Sequence, residues 1–225
     1  MSDVEPILSQ TSGGSEIARA ARKRPKPGER RTQILQALAA MLEESGAERI
    51  TTAALAARLE VSEAALYRHF ASKAQMFEGL IEFIEQTVFS LISQIVQREQ
   101  GPDEKQAVSD AGLGRRQAGQ VVTMLMQFAE KNPGLSRVMV GDALVFENER
   151  LQQRMNQFFD KIESTLKQSL RPAVQASGSA TPSVDTQVQA AVLSAFVVGR
   201  LQRFARSNFK RAPSEHLEAS LSLML

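Results

Sequence analysis

The stretch from Ile50 to Lys73, ITTAALAARLEVSEAALYRHFASK, constrains this chain more than any other. Its punctuation and apolar spacing describe two short helices held at an angle and the start of a third. Thr51 or Thr52 can cap the first, its hydroxyl accepting from an unpaired amide of the opening turn, and Ala53 to Leu59 follows as an alanine- and leucine-rich run. Leu55 and Leu59, four apart, share a face that needs an outside partner, because so short a helix is marginal alone in water. Ser62 caps the second helix, Glu63 to His69, whose acid lies in the first turn where the dipole favours negative charge. Val61, Leu66 and Phe70 turn inward together, leaving Ser62, Ala64, Tyr67, Arg68 and His69 for something outside.

For the second helix of a helix-turn-helix, that something is most often the major groove of DNA. Ser62, Glu63 and Ala64 make the entering tip. Arg68 suits a guanine edge or a phosphate, whereas Tyr67, His69 and Lys73 suit phosphate oxygens, and Thr51 and Thr52 stand at a helix end that phosphates can approach. Spacing alone leaves a second possibility open, since a chain rich in alanine and leucine yields many short helical pairs that only pack.

Upstream, residues 1–28 are polar and broken by Gly13, Gly14, Pro25 and Pro27, which predicts a disordered arm. Arg19, Arg22, Lys23, Arg24 and Lys26 make its second half basic, and Arg30 and Arg31 continue the run. Beside a DNA-reading unit such a run suits phosphate or minor-groove contact, although an isolated basic tail is usually just solvated. A first helix from Glu29 or Arg30 to Ser45, closed by Gly46, sets Ile34, Leu35, Leu38, Met41 and Leu42 on one stripe and supplies the missing partner. Residues 29–71 therefore read as a three-helix DNA-binding domain.

Residues 72–225 read as a helical dimerisation and regulatory domain, so that the whole chain is all-α. Ser72 and Gln75 have capping-box spacing and open a helix towards Arg98, about 40 Å long at 1.5 Å per residue. Its apolar stripe is broader than one contact needs. Glu99 to Gln117 reads as a long, polar, disordered connection, Gln117 to Lys131 as a helix stopped by Asn132-Pro133-Gly134, and Leu135 to Val140 as a short helical piece. Asp142 then caps a long helix that ends at Pro172, Ala173 to Pro182 forms a loop, and Val184 to Phe209 is a helix apolar nearly all round its first half. Burial of that helix against its own copy predicts a homodimer. Pro213 and Ser214 start a last helix carrying Leu217, Leu221, Leu223 and Met224.

Several functions find little support. Cysteine is absent, and the two histidines, His69 and His216, lack metal-ligand spacing, which disfavours disulfides, thiolate metal sites and nucleophilic triads. Glu43-Glu44 and Glu147-Asn148-Glu149 are better read as solvated helix faces than as acid/base pairs, and no glycine loop for phosphates occurs. No enzyme activity and no cofactor are expected. No apolar run approaches bilayer-spanning length, and no signal segment follows Met1, which points to the cytoplasm. A net charge of only +2 means that nucleic-acid affinity must come from placement of the basic residues.

The run Val61-Ser62-Glu63-Ala64-Ala65-Leu66-Tyr67-Arg68-His69-Phe70, followed by Ser72-Lys73, resembles the TetR-family signature V-S-x-x-x-L-Y-x-H-F-x-x-K. The family usually carries glycine where this chain has Glu60, and a left-handed backbone there would cost a non-glycine residue about 1 kcal/mol. The resemblance implies a dimer on a palindromic site, with half-sites about one turn of double-stranded DNA apart. In most of the family the second half binds a small ligand, which implies a ligand-responsive repressor as one alternative.

Further stretches, EKNPGLSRVMVGDALVFENERLQQRMNQFFDKIE and LQRFARSNFK among them, resemble the nucleoid occlusion branch of that family over roughly Arg30 to Val96 and Gln117 to Lys210. This implies a nucleoid-associated dimer that, once on DNA, engages the C-terminal tail of the division protein FtsZ and blocks septum assembly. The tail groove is implied between the long helix and the next one, with Phe83, Met124, Gln127, Lys131 and Asn132 as its residues. From the residues alone, Phe83 and Met124 read as core, Lys131 as a solvated helix end and Asn132 as a breaker. Leu91 stands where the family offers a basic residue, and the 99–117 connection is longer and more polar than usual.

Overall fold

The computed structural model describes residues 28–44, 50–98 and 110–225. The basic run of the arm before Gly28, Gly46, and residues 99–109 of the connection lie outside the described residues. Among the described residues every regular element is helical: α1 (Glu29–Glu43), α2 (Thr52–Arg58), α3 (Glu63–Tyr67), α4 (Lys73–Arg98), α5 (Asp110–Lys131), α6 (Pro133–Met139), α7 (Glu149–Ala176), α8 (Pro182–Arg206) and α9 (Leu217–Met224), with a 3-10 turn at Asp142–Leu144.

The first three helices close over one another as their spacing requires. Ile34, Leu38 and Leu42 of α1 are buried with Ile50, Leu55 of α2, Leu66 of α3 and Phe70. Between α2 and α3, Glu60 takes φ 53°, the left-handed conformation in which the family usually places glycine. The backbone accepts this strain of about 1 kcal/mol because Val61 N and Glu60 N donate back into α2, to the carbonyls of Ala56 and Ala57.

α4 starts as its capping residues predict, but the reciprocal bond is shifted by one residue. Ser72 Oγ accepts from Gln75 N at 3.2 Å, while Gln75 Oε1 accepts from Ala71 N rather than from the Ser72 amide. Contrary to expectation, the Lys73–Gln97 run is long and apolar enough by length and composition to cross a membrane. Packing accounts for that apolarity, since Met76, Phe77, Leu80, Ile81, Ile84, Val88 and Ile92 are buried in the core. Charged residues of the same helix meet α7 and the segment before it: Lys73 pairs with Glu147, Glu78 with Arg150, and Glu85 with Arg154 at 2.6 Å. The hydrogen bonds that Arg154 donates to Glu85 hold its guanidinium pKa above the ordinary value, against the opposing effect of burial.

Several sequence expectations change. The last helix starts at Leu217 rather than at Pro213 and Ser214, because His216 before it takes φ 53°. Residues 110–117 are helical, because Gly114 brings the α5 backbone directly against Ser169 O of α7, where a β-carbon would overlap the carbonyl. A glycine that reads as a breaker is thus a packing contact. Asp142 does not cap the long helix. Leu144, Asn148, Leu151 and Met155 would share one face of a continuous helix, and the Asn148 amide would face the core. Instead the chain makes a 3-10 turn, and Asn148 Oδ1 caps α7 by accepting from Arg150 N at 2.9 Å. Pro172 lies inside α7, which continues to Ala176 because Ala173 and Val174 beyond it are buried.

α8 starts at Pro182, whose missing amide hydrogen costs nothing in a first turn. It stops at Arg206, before Asn208 and Phe209, which take φ 52° and 63°. Its apolar girth divides into two faces. Ala190, Leu193, Val197 and Leu201 are buried within the chain, whereas Val184, Val188 and Val192 remain 59%, 56% and 49% exposed, and Ala195 and Gly199 extend that outer stripe.

Gly114→Ala is expected to destabilise the fold by about 1–3 kcal/mol despite alanine's better helix propensity, a fall in Tm of roughly 2–4 °C for each kcal/mol. Thermal unfolding followed by circular dichroism checks this, and an unchanged or higher Tm would contradict the close α5–α7 contact.

Candidate functional site

The reading surface is built from helix caps. Thr51 Oγ1 accepts from Ala54 N at 3.1 Å and starts α2, and Ser62 Oγ accepts from Ala65 N at 3.3 Å and starts α3. The two short helices are tied at the surface by Thr52 Oγ1, which donates to Glu63 Oε2 at 2.6 Å while Tyr67 Oη approaches it at 3.5 Å. Arg31 reaches from α1 to the other end of α3: its Nη1 donates to His69 O at 2.8 Å, and its guanidinium lies 4.1 Å from the centre of the Phe70 ring. An arginine expected at phosphates therefore also clamps the carbonyl end of α3. Arg30 donates to Gln33 Oε1 at 2.9 Å.

Ala64, Tyr67, Arg68 and His69 are exposed, and the Arg68 and His69 side chains have no partner among the described residues. Arg68 is thus unengaged and long enough to reach a base edge or a phosphate. Glu63, fixed by Thr52, repels phosphates but can accept from the amino group of a cytosine. Lys73 is held by Glu147 and lies 5.7 Å from the Phe77 ring centre, so it reaches a phosphate only by leaving that pair.

The residues expected at a tail groove are only partly gathered. A groove of about 350 Å³ is walled by Leu35, Gln36 and Ala39 of α1 on one side and by Leu80 and Phe83 of α4 on the other, with Asn132 and Leu135 at its end. Phe83 is 49% exposed there, against the expectation from residues alone that it is core. Asn132 Nδ2 donates to Phe128 O at 2.8 Å and ends α5. Met124, Gln127 and Lys131 lie on α5 outside this groove, Met124 partly buried and the other two exposed. The α1 wall is absent from the sequence expectation, and its available signal was the small pair Ala39-Ala40, which leaves room beside Leu35.

Two family models match the chain. That of the bacterial regulatory proteins of the tetR family covers residues 34–80, and the SlmA-like, tetracyclin repressor-like C-terminal domain covers residues 116–225. The nucleoid occlusion factor SlmA of Aliivibrio fischeri (strain MJ11) is 49% identical over 201 residues, covering 89% of this chain and 96% of the relative. The SlmA of Photobacterium profundum is 50% identical over 86% of this chain and 92% of its own. The chain belongs to the SlmA family.

Solved structures agree at the level of fold. The fatty acid degradation regulator FadR of Bacillus halodurans superimposes with a TM-score of 0.64 at 14% identity, covering 89% of this chain and 97% of that one. A TetR-family regulator from Bordetella parapertussis 12822 gives 0.61 at 15% identity, covering 88% and 95%. Like other SlmA- and TetR-family members, the chain is a DNA-binding regulator rather than an enzyme, with its TetR-type DNA-binding domain at α1 to α3 and the start of α4.

Arg68→Ala is expected to weaken DNA binding by about 1–3 kcal/mol, roughly 5- to 150-fold, with Tm unchanged, because its side chain supports nothing else. Thr51→Ala is expected to lower both affinity and stability, the latter by about 1 kcal/mol for the lost cap. Fluorescence anisotropy on a labelled duplex together with thermal unfolding separates the two, and full affinity in both variants would misplace the reading surface.

Proposed function

We propose that the chain is a cytoplasmic, nucleoid-associated division inhibitor. As a homodimer it binds a palindromic chromosomal site, and in that state it engages the C-terminal tail of FtsZ and blocks septum assembly over the nucleoid. The observation that carries the reading is the likeness beyond the DNA module. The SlmA-like C-terminal match spans residues 116–225, and relatives named nucleoid occlusion factor are 49% identical over nearly the whole chain.

On this reading residues 1–28 are a basic arm, residues 29–71 read DNA, and residues 72–225 dimerise and hold the partner. Arg30, Arg31, Thr51, Thr52 and Ser62 set register at the phosphates, Glu63, Ala64 and Arg68 face base edges, and Tyr67, His69 and Lys73 complete the backbone grip. The exposed α8 stripe supports dimerisation, since Val184, Val188, Val192, Ala195 and Gly199 form one outer seam on a 25-residue helix. For the tail, Phe83 with the α1 wall provides an apolar bed. Lys131, exposed at the end of α5, can pair with an acidic residue of the tail, and Met124 and Gln127 flank its path.

Sedimentation of FtsZ polymers tests this directly. The expected result is co-sedimentation or polymer loss that is stronger with the palindromic duplex and is abolished when the last residues of FtsZ are deleted. Absence of both effects would remove the division role, and equal affinity for scrambled and palindromic duplexes would remove the DNA role.

A further inference from the structure

Several links between distant parts of the chain converge on the seven-residue α6. Asn132, at its N-terminal boundary, edges the groove beside Phe83. Its second residue, Gly134, rests bare backbone on Ala39 O of α1, where a β-carbon would overlap. Arg137, one turn on, points its fork in two directions. Its Nη1 donates to Glu44 O, the carbonyl that ends α1, at 3.3 Å, and its Nη2 donates to Asn208 Oδ1 at 2.9 Å. The same guanidinium lies 5.0 Å from the centre of the Phe209 ring, which also meets the Phe204 ring edge-on at 5.1 Å.

Asn208 and Phe209 both have positive φ, a conformation that a bulky residue keeps only where its surroundings hold it. They form the corner that ends α8, the helix with the exposed valine seam. Arg137 therefore touches the first helix of the reading module and the end of the seam helix at once, from a short helix whose boundary residue edges the groove. Because α1 is one wall of that groove, any tilt of the reading module against α6 changes the groove's width.

We infer that Arg137 is a positioning residue that couples the groove to the DNA-bound arrangement of the reading module. Two half-sites set the separation of two modules, and hence the tilt of each α1. Arg137 locks that tilt to α6 and to the Asn208-Phe209 corner, so that the groove takes one width when DNA is bound. Both sites then bias one physical element, which is what coupling requires. The inference rests on the partner reading above, and the two fail separately in the following experiment.

Full-length wild type, Arg137→Gln and Arg137→Lys are titrated against a labelled FtsZ tail peptide with and without palindromic duplex. Amide exchange of residues 134–140 and 205–210 is followed in parallel. For wild type, DNA is expected to tighten peptide binding at least about fivefold, within the usual range of coupling. It is also expected to slow exchange in both segments. Arg137→Gln is expected to keep its DNA affinity within about threefold while the DNA-induced tightening falls below about twofold and the exchange change is lost. An undiminished tightening in Arg137→Gln overturns the inference, as does wild-type exchange that responds to DNA in α1 but in neither of the two segments. Should wild type bind no peptide at all, the partner reading fails, and exchange alone decides the role of Arg137. Should Arg137→Gln not fold, Arg137→Lys, which keeps charge and stem but loses the planar fork, is read by the same criteria.

Discussion

Helices of seven and five residues do not persist alone in water, so everything this protein presents to DNA depends on their burial against α1 and the start of α4. Leu55 and Leu66 are the anchors, enclosed by Ile34, Leu38, Leu42 and Phe70 with almost no exposure. Each such side chain contributes about 1.5–3 kcal/mol of transfer free energy, against about 1 kcal/mol for a typical cap at the module's surface. The caps at Thr51 and Ser62 act differently. They decide where each helix begins, and thereby which side chains stand at the tip that enters a groove.

The same logic explains how a small reading module is held to a larger body. α4 leaves the module with Phe77 and Leu80 buried and remains buried through Val88 and Ile92. Its ion pairs with the Glu147–Arg154 region lie along the flank of this apolar contact. The Lys73–Glu147 and Glu85–Arg154 pairs are partly buried and the Arg150 end of the third is exposed, and because a pair must repay the desolvation of its charges, the three set the register of α4 against α7 more than its strength. The module is also held by α6, through the bare approach of Gly134 to Ala39 and the fork of Arg137. α6 is itself anchored in the core by Leu135, Val138 and Met139, so the module is tied to the body at two places, along α4 and at α6.

Much of the architecture was legible in the chain's own spacing. The stripe Ile34, Leu35, Leu38, Met41 and Leu42 announced α1, and the Thr51 and Ser62 hydroxyls announced the starts of α2 and α3. The left-handed turn at Glu60 followed from the family pattern. The errors in helix boundaries share one cause. Gly114, Asp142 and Pro172 are locally breakers or cappers, and each was overruled by its surroundings: Ser169 O lies against Gly114, Asn148 rather than Asp142 caps α7, and Ala173 and Val174 beyond Pro172 are buried. Local propensity is a weak prior wherever tertiary contact decides.

By itself the sequence determined that the chain is helical, where the helices of the reading module begin, which faces are apolar, and which polar residues stand at the tip of the second short helix, because these follow from periodicity and capping chemistry within a few residues. Only the tertiary structure decided how those residues are occupied. Arg31 is drawn to His69 O, Thr52 to Glu63, Lys73 to Glu147, and Arg137 to a carbonyl ninety-three positions away, while α1 becomes a wall of the groove at Phe83. Such pairings depend on which helices meet and at what angle, and that is settled by packing of the whole core rather than by any stretch of it.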